Sequence, residues 1–314
     1  MTLKQERVNG GSLWPWLAAA MFAPACQSLG SAPWPWTLAL ALGAMAVFLC
    51  AQMVTAPGWP CGKVLAAAEY LFLVLCVGMV ANWVDECWLG AKSGWVIPVV
   101  VLVLAACAAD RGAEKAVRSG ATLFWFIAMG FVVLAVFALP DVEVSNLYPG
   151  RMNSYGADIG VLLIPGATLL LSRQRGKEPW PWALGIAVSA GLISVLTAGS
   201  LSPAVAAKTP GAFVQMVRGL EILGVAERFE ALVAAIMTLG WFSLLSLLLT
   251  GAGEMGNKIY GGNRAVPVWA AAGLGAGIFL LGKRISMWPM AALAAILWYG
   301  IPVTRALLAR RKKQ

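Results

Sequence analysis

The sequence predicts an all-α polytopic membrane protein with about ten transmembrane helices, arranged as two inverted five-helix repeats in which helices 1 and 6 are broken. Two observations predict the membrane: 60% of the 314 residues are hydrophobic, and only 12% are charged. A soluble domain of this size cannot bury so much apolar surface, so lipid must surround most of the chain. The repeats are predicted by a third observation, a pair of proline-interrupted spans in corresponding positions.

Ten apolar runs are long enough, or nearly so, for the roughly 20 residues that a helix needs to cross the hydrocarbon core. They cover about 12–30, 34–54, 64–84, 94–109, 120–139, 155–172, 180–198, 229–251, 266–282 and 287–307. Short connections join them, apart from a longer stretch at about 199–228. We therefore expect one transmembrane domain over 1–314, with a first repeat at about 11–139 and a second at about 155–310.

The basic residues are sorted between alternate connections. Sixteen Lys and Arg residues fall on the side that holds the N-terminus, and seven fall on the other side. The positive-inside rule then predicts that both termini and the loops near 55–63, 110–119, 173–179 and 252–265 face the cytoplasm. This sorting explains the net charge of +9 without a nucleic-acid partner.

Tryptophan flanks proline at the start of several apolar runs, as "WPW" at 14–16, 34–36 and 180–182. Indole rings favour the headgroup level of a bilayer, and proline suits the first turn of a helix. We therefore expect these tryptophans to anchor helix ends at the interface. A functional aromatic box is the less favoured alternative.

The composition argues against an enzyme. The chain has no histidine, which removes imidazole metal ligands, proton relays and the common nucleophile–histidine dyads. Its six cysteines have no metal-type spacing, and those inside the spans are expected to act as small apolar fillers. No glycine-rich phosphate loop is present. We expect no catalytic residues, no bound metal and no cofactor.

Two spans carry a proline near their middle. In the sixth span, Pro165-Gly166 lies about ten residues, or roughly 15 Å, from the start. In the first span, Pro24 lies at a similar depth. Proline removes a helical hydrogen bond, and the freed backbone groups are tolerated in a membrane only against protein or a wet cavity. Such a pair indicates a binding site between the two breaks, although a proline that merely kinks its helix is the alternative.

The predicted site therefore combines the two breaks with nearby residues on the same helices. Asp158 lies seven residues before Pro165 and shares its helix face, and an intramembrane acid is a functional candidate by default. An equally weighted alternative is an acid that complements the helix dipole at the interface. Free amides and carbonyls at the breaks would suit a zwitterion. The predicted site residues are Pro24, Ala25, Cys26, Asp158, Ile159, Pro165 and Gly166.

Glu69 is the second acid within a span, near the start of the third apolar run. Two interpretations are open: a role in the site, or contact with Lys63 or interfacial water. With no histidine, Asp158 and Glu69 are the titratable groups available to a proton-coupled carrier.

Three stretches resemble the B subunit of bacterial spore-germination nutrient receptors, a branch of the amino acid–polyamine–organocation transporter superfamily. The first stretch, at 108–149, contains Arg118 and the segment "NLYP" at 146–149. The second is "GADIGVLLIP" at 156–165, which is similar to the sixth helix of that family. The third, at 209–249, contains Pro210, Arg218 and the pair "ER" at 227–228.

The resemblance implies a transporter-like subunit that binds a germinant amino acid or related small nutrient and signals to A-type and C-type partner subunits. It also implies a multi-pass protein of the bacterial cell membrane, in the inner spore membrane. The residues alone indicate only a fold that binds or transports a small solute. An ion-coupled amino acid permease and a structural subunit with a vestigial pocket are therefore the alternatives.

Overall fold

A computed structural model describes ten stretches of the chain. They are residues 8–28, 34–55, 62–87, 94–147, 174–175, 180–206, 208–209, 211–220, 226–282 and 287–311. The predicted sixth span, 155–172, lies outside the described residues.

The first half of the described chain forms five long helices, each of which coincides with a predicted span. They are α1 (Gly10–Ser28), α2 (Trp34–Thr55), α3 (Lys63–Cys87), α4 (Val96–Asp110) and α5 (Ala113–Ala138). Two short 3₁₀ helices follow α5, at Leu139–Asp141 and Val144–Leu147.

The second half has the same character, with two short helices between its long ones. The helices are α6 (Trp180–Leu201), α7 (Pro203–Ala206), α8 (Ala212–Gly219), α9 (Ala226–Tyr260), α10 (Ala265–Leu280), α11 (Met287–Ala294) and α12 (Ile301–Arg311). A π-helical segment, Ala295–Gly300, joins α11 to α12, so the predicted tenth span is one nearly continuous rod. The stretch predicted as a connection at 199–228 contains α7 and α8.

Several described helices are long and apolar enough to cross a membrane. By length and composition, four segments qualify: Lys63–Asp85, Ala113–Asp141, Trp180–Leu201 and Ala231–Tyr260. Four shorter apolar helices accompany them, at Trp34–Cys50, Val96–Asp110, Ala265–Leu280 and Ala292–Arg305. Nine of the ten predicted spans coincide with described helices. The predicted fold class, an all-helical polytopic protein, is confirmed.

Helix α1 lies in the centre of the bundle, where it packs mainly against α5 and α9. Its Trp14 and Trp16 side chains are 2% and 0% exposed. Gly120 of α5 faces the Trp16 indole so closely that a Cβ at that position would overlap the ring. The predicted interfacial role of this first "WPW" is therefore wrong, because α1 is enclosed by other helices instead of meeting lipid.

Two short strands show that two segments far apart in the sequence lie on the same side of the bundle. Val8 pairs with Gln174 and Asn9 pairs with Arg175 in a parallel two-residue ladder. The residues before α1 and those before α6 therefore lie on the same side of the bundle, as the predicted topology requires. We call this side proximal and the opposite side distal. That the proximal side faces the cytoplasm stays a prediction.

Three segments that the sequence predicts to be broken or to lie in connections are helical in the structure. Helix α1 runs without interruption through Pro24 to Ser28, so the break predicted in the first helix does not occur within its described length. A proline removes only one backbone hydrogen bond here, and the helix ends one turn later. Residues 113–119 and 252–260 lie within α5 and α9, so the proximal connections there are shorter than predicted.

Candidate functional site

The described part of the predicted site is the last turn of α1. Pro24 is buried, Ala25 is 3% exposed and Cys26 is 0% exposed. Because Pro24 lacks an N–H, the carbonyl of Ala20 loses the donor that a regular helix would supply. The turn at Pro24 is therefore buried and lacks one backbone hydrogen bond, although the helix itself is continuous.

Helix α9 packs against this part of α1 with the two helix backbones in contact. A Cβ built on Gly240 would lie 2.8 Å from the Ala23 Cβ and 3.1 Å from the Ala23 backbone nitrogen. Only glycine allows two backbones to meet in this way, as in many membrane helix pairs. The end of α1 is therefore held directly against α9 one residue before Pro24.

The other four predicted site residues, Asp158, Ile159, Pro165 and Gly166, lie outside the described residues. Pro24, Ala25 and Cys26 are the predicted site residues that the structure describes, and they share one turn of α1. Their juxtaposition with the sixth span stays a prediction.

Two polar atoms near the end of α1 were not recognised from the sequence. The Gln27 Oε1 is buried and has no hydrogen-bond partner among the described residues, and the same is true of the Trp241 Nε1. Trp241 packs on Trp83 of α3, with ring centroids 5.7 Å apart. An amide oxygen accepts and an indole N–H donates, so the two atoms could bind an ammonium group and a carboxylate, respectively. Gln27 had a weak signal in the sequence, a polar residue directly after the Pro24 turn, whereas Trp241 had none.

A cavity of about 230 Å³ adjoins the same helix on another side. Helices α1, α5 and α6 form its walls, and Ala25 is the predicted site residue that contributes to it. Two edge-to-face aromatic pairs, Phe22–Phe131 and Phe124–Trp182, flank it at centroid distances of 5.4 and 5.5 Å. The Ser189 hydroxyl in its wall donates to the Ile186 carbonyl at 2.8 Å. The cavity is therefore suited to an apolar group.

The proximal end of the bundle contains an ion pair that sequence analysis missed. Arg264 Nη1 lies 2.8 Å from Glu254 Oε1, and the two side chains are only 17% and 12% exposed. Nearby, the Tyr70 hydroxyl donates to the Pro267 carbonyl at 2.9 Å. From the sequence, Arg264 is one of the sixteen basic residues predicted to face the cytoplasm, and the structure shows that it also joins the end of α9 to the start of α10.

Glu69 is also buried at the proximal end, with 0% exposure, whereas Lys63 is exposed at the start of α3. The interpretation that Glu69 reaches interfacial water is therefore wrong, and its contact with Lys63 stays a prediction. Its burial beside Tyr70 places an acid inside the proximal part of the bundle.

The segment that resembles "NLYP" has a packing role in its described part. The Asn146 Nδ2 donates to the Gly199 carbonyl at 3.0 Å, near the distal end of α6. The Leu147 carbonyl accepts a 2.9 Å bond from the Trp34 indole at the start of α2. The segment therefore connects the distal ends of α2 and α6. Tyr148 and Pro149 lie outside the described residues.

The residue types that could hold a metal are scattered in the described part of the chain. Among those residues, no three His, Cys, Asp or Glu side chains form a group that could bind a metal ion. Cys26, Cys50, Cys76 and Cys107 are free thiols.

Comparison with known proteins rests on structure. No family model matches the chain, and no curated protein matches it significantly in sequence. Mhp1, a nucleobase-cation-symport-1 family transporter solved in a closed conformation with bromovinylhydantoin bound, superposes with a TM-score of 0.62 at 16% identity. The match covers 98% of this chain and 80% of Mhp1. The chain shares the fold of Mhp1.

A second solved structure has the same architecture. MhsT in complex with L-phenylalanine superposes with a TM-score of 0.60 at 13% identity, over 96% of this chain and 88% of MhsT. Both matches extend over nearly the whole sequence, so the shared fold includes both halves of the chain. The two matches show the fold alone, and they do not test the resemblance to the spore-germination family.

Proposed function

We propose that the chain is a transporter-like receptor subunit that binds a small nutrient, an amino acid, between α1 and the predicted sixth span, and signals to partner subunits. The observation that carries this proposal is the fold. Two proteins that share it were solved with small molecules bound, L-phenylalanine in MhsT and bromovinylhydantoin in Mhp1. The same fold in this chain would provide a comparable place for a small solute.

The chemistry at the end of α1 supports a zwitterionic ligand. Pro24 leaves a helical carbonyl without its usual donor, and Gln27 Oε1 is a second buried acceptor. Both suit an ammonium group, for which Asp158 on the predicted sixth span would supply the counter-charge. The Pro165-Gly166 break would contribute amides for the carboxylate.

The receptor role follows from the resemblance to the spore-germination B subunits. In this proposal the chain acts with an A-type membrane subunit and a C-type lipoprotein subunit in the inner spore membrane. Both of its termini would face the cytoplasm. Neighbouring genes for the two partners, together with copurification of all three proteins, would support this assembly.

An ion-coupled amino acid permease is the second candidate. The observation that favours it is the fold shared with Mhp1, a member of a family named for cation symport. Glu69 supports it further, since it is an acid fully buried within a span. A purely structural subunit with a vestigial pocket is the third candidate.

Ligand-induced stabilisation tests the binding part of the proposal. A ligand that binds the folded state alone stabilises it by RT ln(1 + [L]/Kd), which is about 2.7 kcal/mol at a hundredfold excess over Kd. We expect one group of L-amino acids to raise the melting temperature of the purified chain in a saturable way. If none of the common L-amino acids does so, the chain is not an amino acid receptor.

A further inference from the structure

We propose that the cavity between α1, α5 and α6 is a lateral recess that holds one acyl chain of a membrane lipid. The recess adjoins the proposed amino acid site, with which it shares Ala25, and its occupant enters sideways from the bilayer. Its walls, its opening and its depth each support this assignment.

The walls are almost entirely hydrocarbon. Apolar side chains from all three helices form them, and the Ser189 hydroxyl is already bonded to the Ile186 carbonyl. A charged or zwitterionic ligand would lose its hydration there without gaining hydrogen bonds, which is unfavourable. A methylene chain has no such requirement. At about 230 Å³, the space is also larger than the roughly 150 Å³ apolar cavity that holds a benzene molecule in an engineered protein.

The opening lies between two helix faces that meet the lipid. On α5, Trp125, Met129 and Val132 are 67%, 64% and 60% exposed. On α6, Leu184 and Val188 are 46% and 52% exposed. Val132 and Gly185 belong both to these outer faces and to the recess wall. The recess is thus continuous with the surface that the bilayer already covers.

The depth is that of the hydrocarbon core. Trp182 lies two residues after the start of α6, and Ile193 lies eleven residues further, so the α6 wall is roughly 17 Å long. On α5, Phe124 lies four residues, or about 6 Å, inside the predicted span 120–139. The recess therefore runs from near the proximal end of both spans toward the middle of the hydrocarbon core, which is the path of an acyl chain whose headgroup stays at the interface.

The back wall is formed by α1, including Met21 and Ala25, which are 2% and 3% exposed. A lipid that stays outside the bundle cannot reach these two residues. Chemical labelling of Met21 or Ala25 from within the bilayer therefore distinguishes a chain inside the recess from one on the outer surface.

The experiment uses the full chain in liposomes of phosphatidylcholine, a fraction of which carries a photoactivatable diazirine in the middle of one acyl chain. After illumination, mass spectrometry locates the labelled residues. We expect labelling of Met21 or Ala25 on α1, together with labelling of the exposed faces of α5 and α6. If only the exposed faces are labelled, no acyl chain enters the recess and the proposal is wrong.

A variant at the opening provides the second measurement. A Cβ on Gly185 would meet nothing within 4 Å, so Gly185→Leu adds a side chain at the opening from a position with open space. We expect it to abolish labelling of α1 and to leave the outer faces labelled. The matched control is Gly273→Leu on α10, where a Cβ also meets nothing within 4 Å. Labelling of α1 that persists in Gly185→Leu would overturn the proposal.

Two further arms complete the test. Ala128→Phe narrows the recess from the α5 wall, so it should also abolish α1 labelling. It replaces Gly185→Leu if that variant folds poorly.

In the other arm, L-photo-leucine, a free amino acid with a diazirine, is supplied in place of the lipid probe. If it labels Met21, which is not a residue of the proposed amino acid site, and the lipid probe does not, the recess belongs to the amino acid and the lipid assignment is wrong.

Discussion

Arg264 and Glu254 form an ion pair, with 2.8 Å between Nη1 and Oε1, that joins the proximal end of α9 to the start of α10. Arg264 Nη2 also donates to the Thr250 carbonyl at 3.4 Å, so the guanidinium contacts two turns of α9. Gly253 allows the close approach, because a Cβ there would lie 2.7 Å from Val268 and 3.2 Å from the Arg264 Nε. This pair gives the first prediction.

Glu254→Gln should destabilise the protein, because it removes the carboxylate that pairs with the mostly buried Arg264 guanidinium. The cost of breaking such a pair is about 3–5 kcal/mol. The double variant Glu254→Leu/Arg264→Met should recover most of the loss, because it removes both charges. Thermal unfolding of the purified protein in detergent measures the effect.

The exposed pair of Glu114 and Arg118 on α5 is the matched control. Glu114→Gln should cost no more than about 0.5 kcal/mol, because solvent screens an exposed i, i+4 pair. Equal effects of Glu254→Gln and Glu114→Gln would mean that the buried pair has no special role in the fold.

Gly240→Ala should force α1 and α9 apart. The new methyl group would lie 2.8 Å from the Ala23 Cβ and 3.1 Å from its backbone nitrogen, which cannot move independently of α1. Overpacking of this kind costs typically about 1–3 kcal/mol. Gly273→Ala, at an exposed position of α10 with open space, should instead leave stability unchanged or raise it by up to about 1 kcal/mol. Equal melting temperatures for the two variants would contradict the close contact.

Gln27→Leu tests whether the buried amide oxygen contacts the ligand. Leucine keeps a similar volume and removes a buried acceptor, so we expect no loss of fold stability. Loss of a hydrogen bond to an ammonium group should weaken amino acid binding by about 1.5–3 kcal/mol, or roughly ten- to a hundredfold. Binding is measured by titration of the purified protein. A destabilised protein with unchanged affinity would assign Gln27 a structural role.

Asp158→Asn tests the acid of the predicted sixth span. If its carboxylate pairs with the ammonium group, the variant should shift the germination dose curve to about ten- to a hundredfold higher nutrient concentration at a normal protein level. Quantitative immunoblotting of spore membranes controls for the protein level. An unchanged dose curve would mean that Asp158 is an interfacial acid at the start of its helix.

Most of the fold could be predicted from the sequence because lipid imposes a simple rule on helix length. Nine of the ten predicted spans coincide with described helices, and their starts at Trp34 and Trp180 agree with the observed starts. Polar segments beyond the apolar runs were misjudged. Residues 252–260 extend α9, because helical hydrogen bonds pair the backbone N–H and C=O groups and because Glu254 forms an ion pair with Arg264.

The position of each helix within the bundle could not be predicted. All three "WPW" segments look alike in sequence, but Trp14 and Trp16 are core residues, whereas Trp36 and Trp180 are 44% and 56% exposed. The interfacial preference of indole applies to a ring that faces lipid. Which helix is enclosed depends on contacts between residues far apart in the sequence.

The candidate site was predictable only in part. Pro24 is buried, but the break predicted there does not occur within the described helix, because a proline pattern cannot tell a kink from a break and α1 continues to Ser28. Gln27 and Trp241 were missed because their importance depends on burial, which the residue type alone does not reveal.

The most direct test of the account is a time course of radiolabelled L-amino acid retention on proteoliposomes that contain the purified chain alone, with and without sodium and proton gradients. A receptor should retain the amino acid rapidly, in saturable and stoichiometric amounts, and the gradients should have no effect. Gradient-driven accumulation beyond the amount of protein would contradict the account in favour of a permease. Absence of retention above empty liposomes would contradict amino acid binding itself.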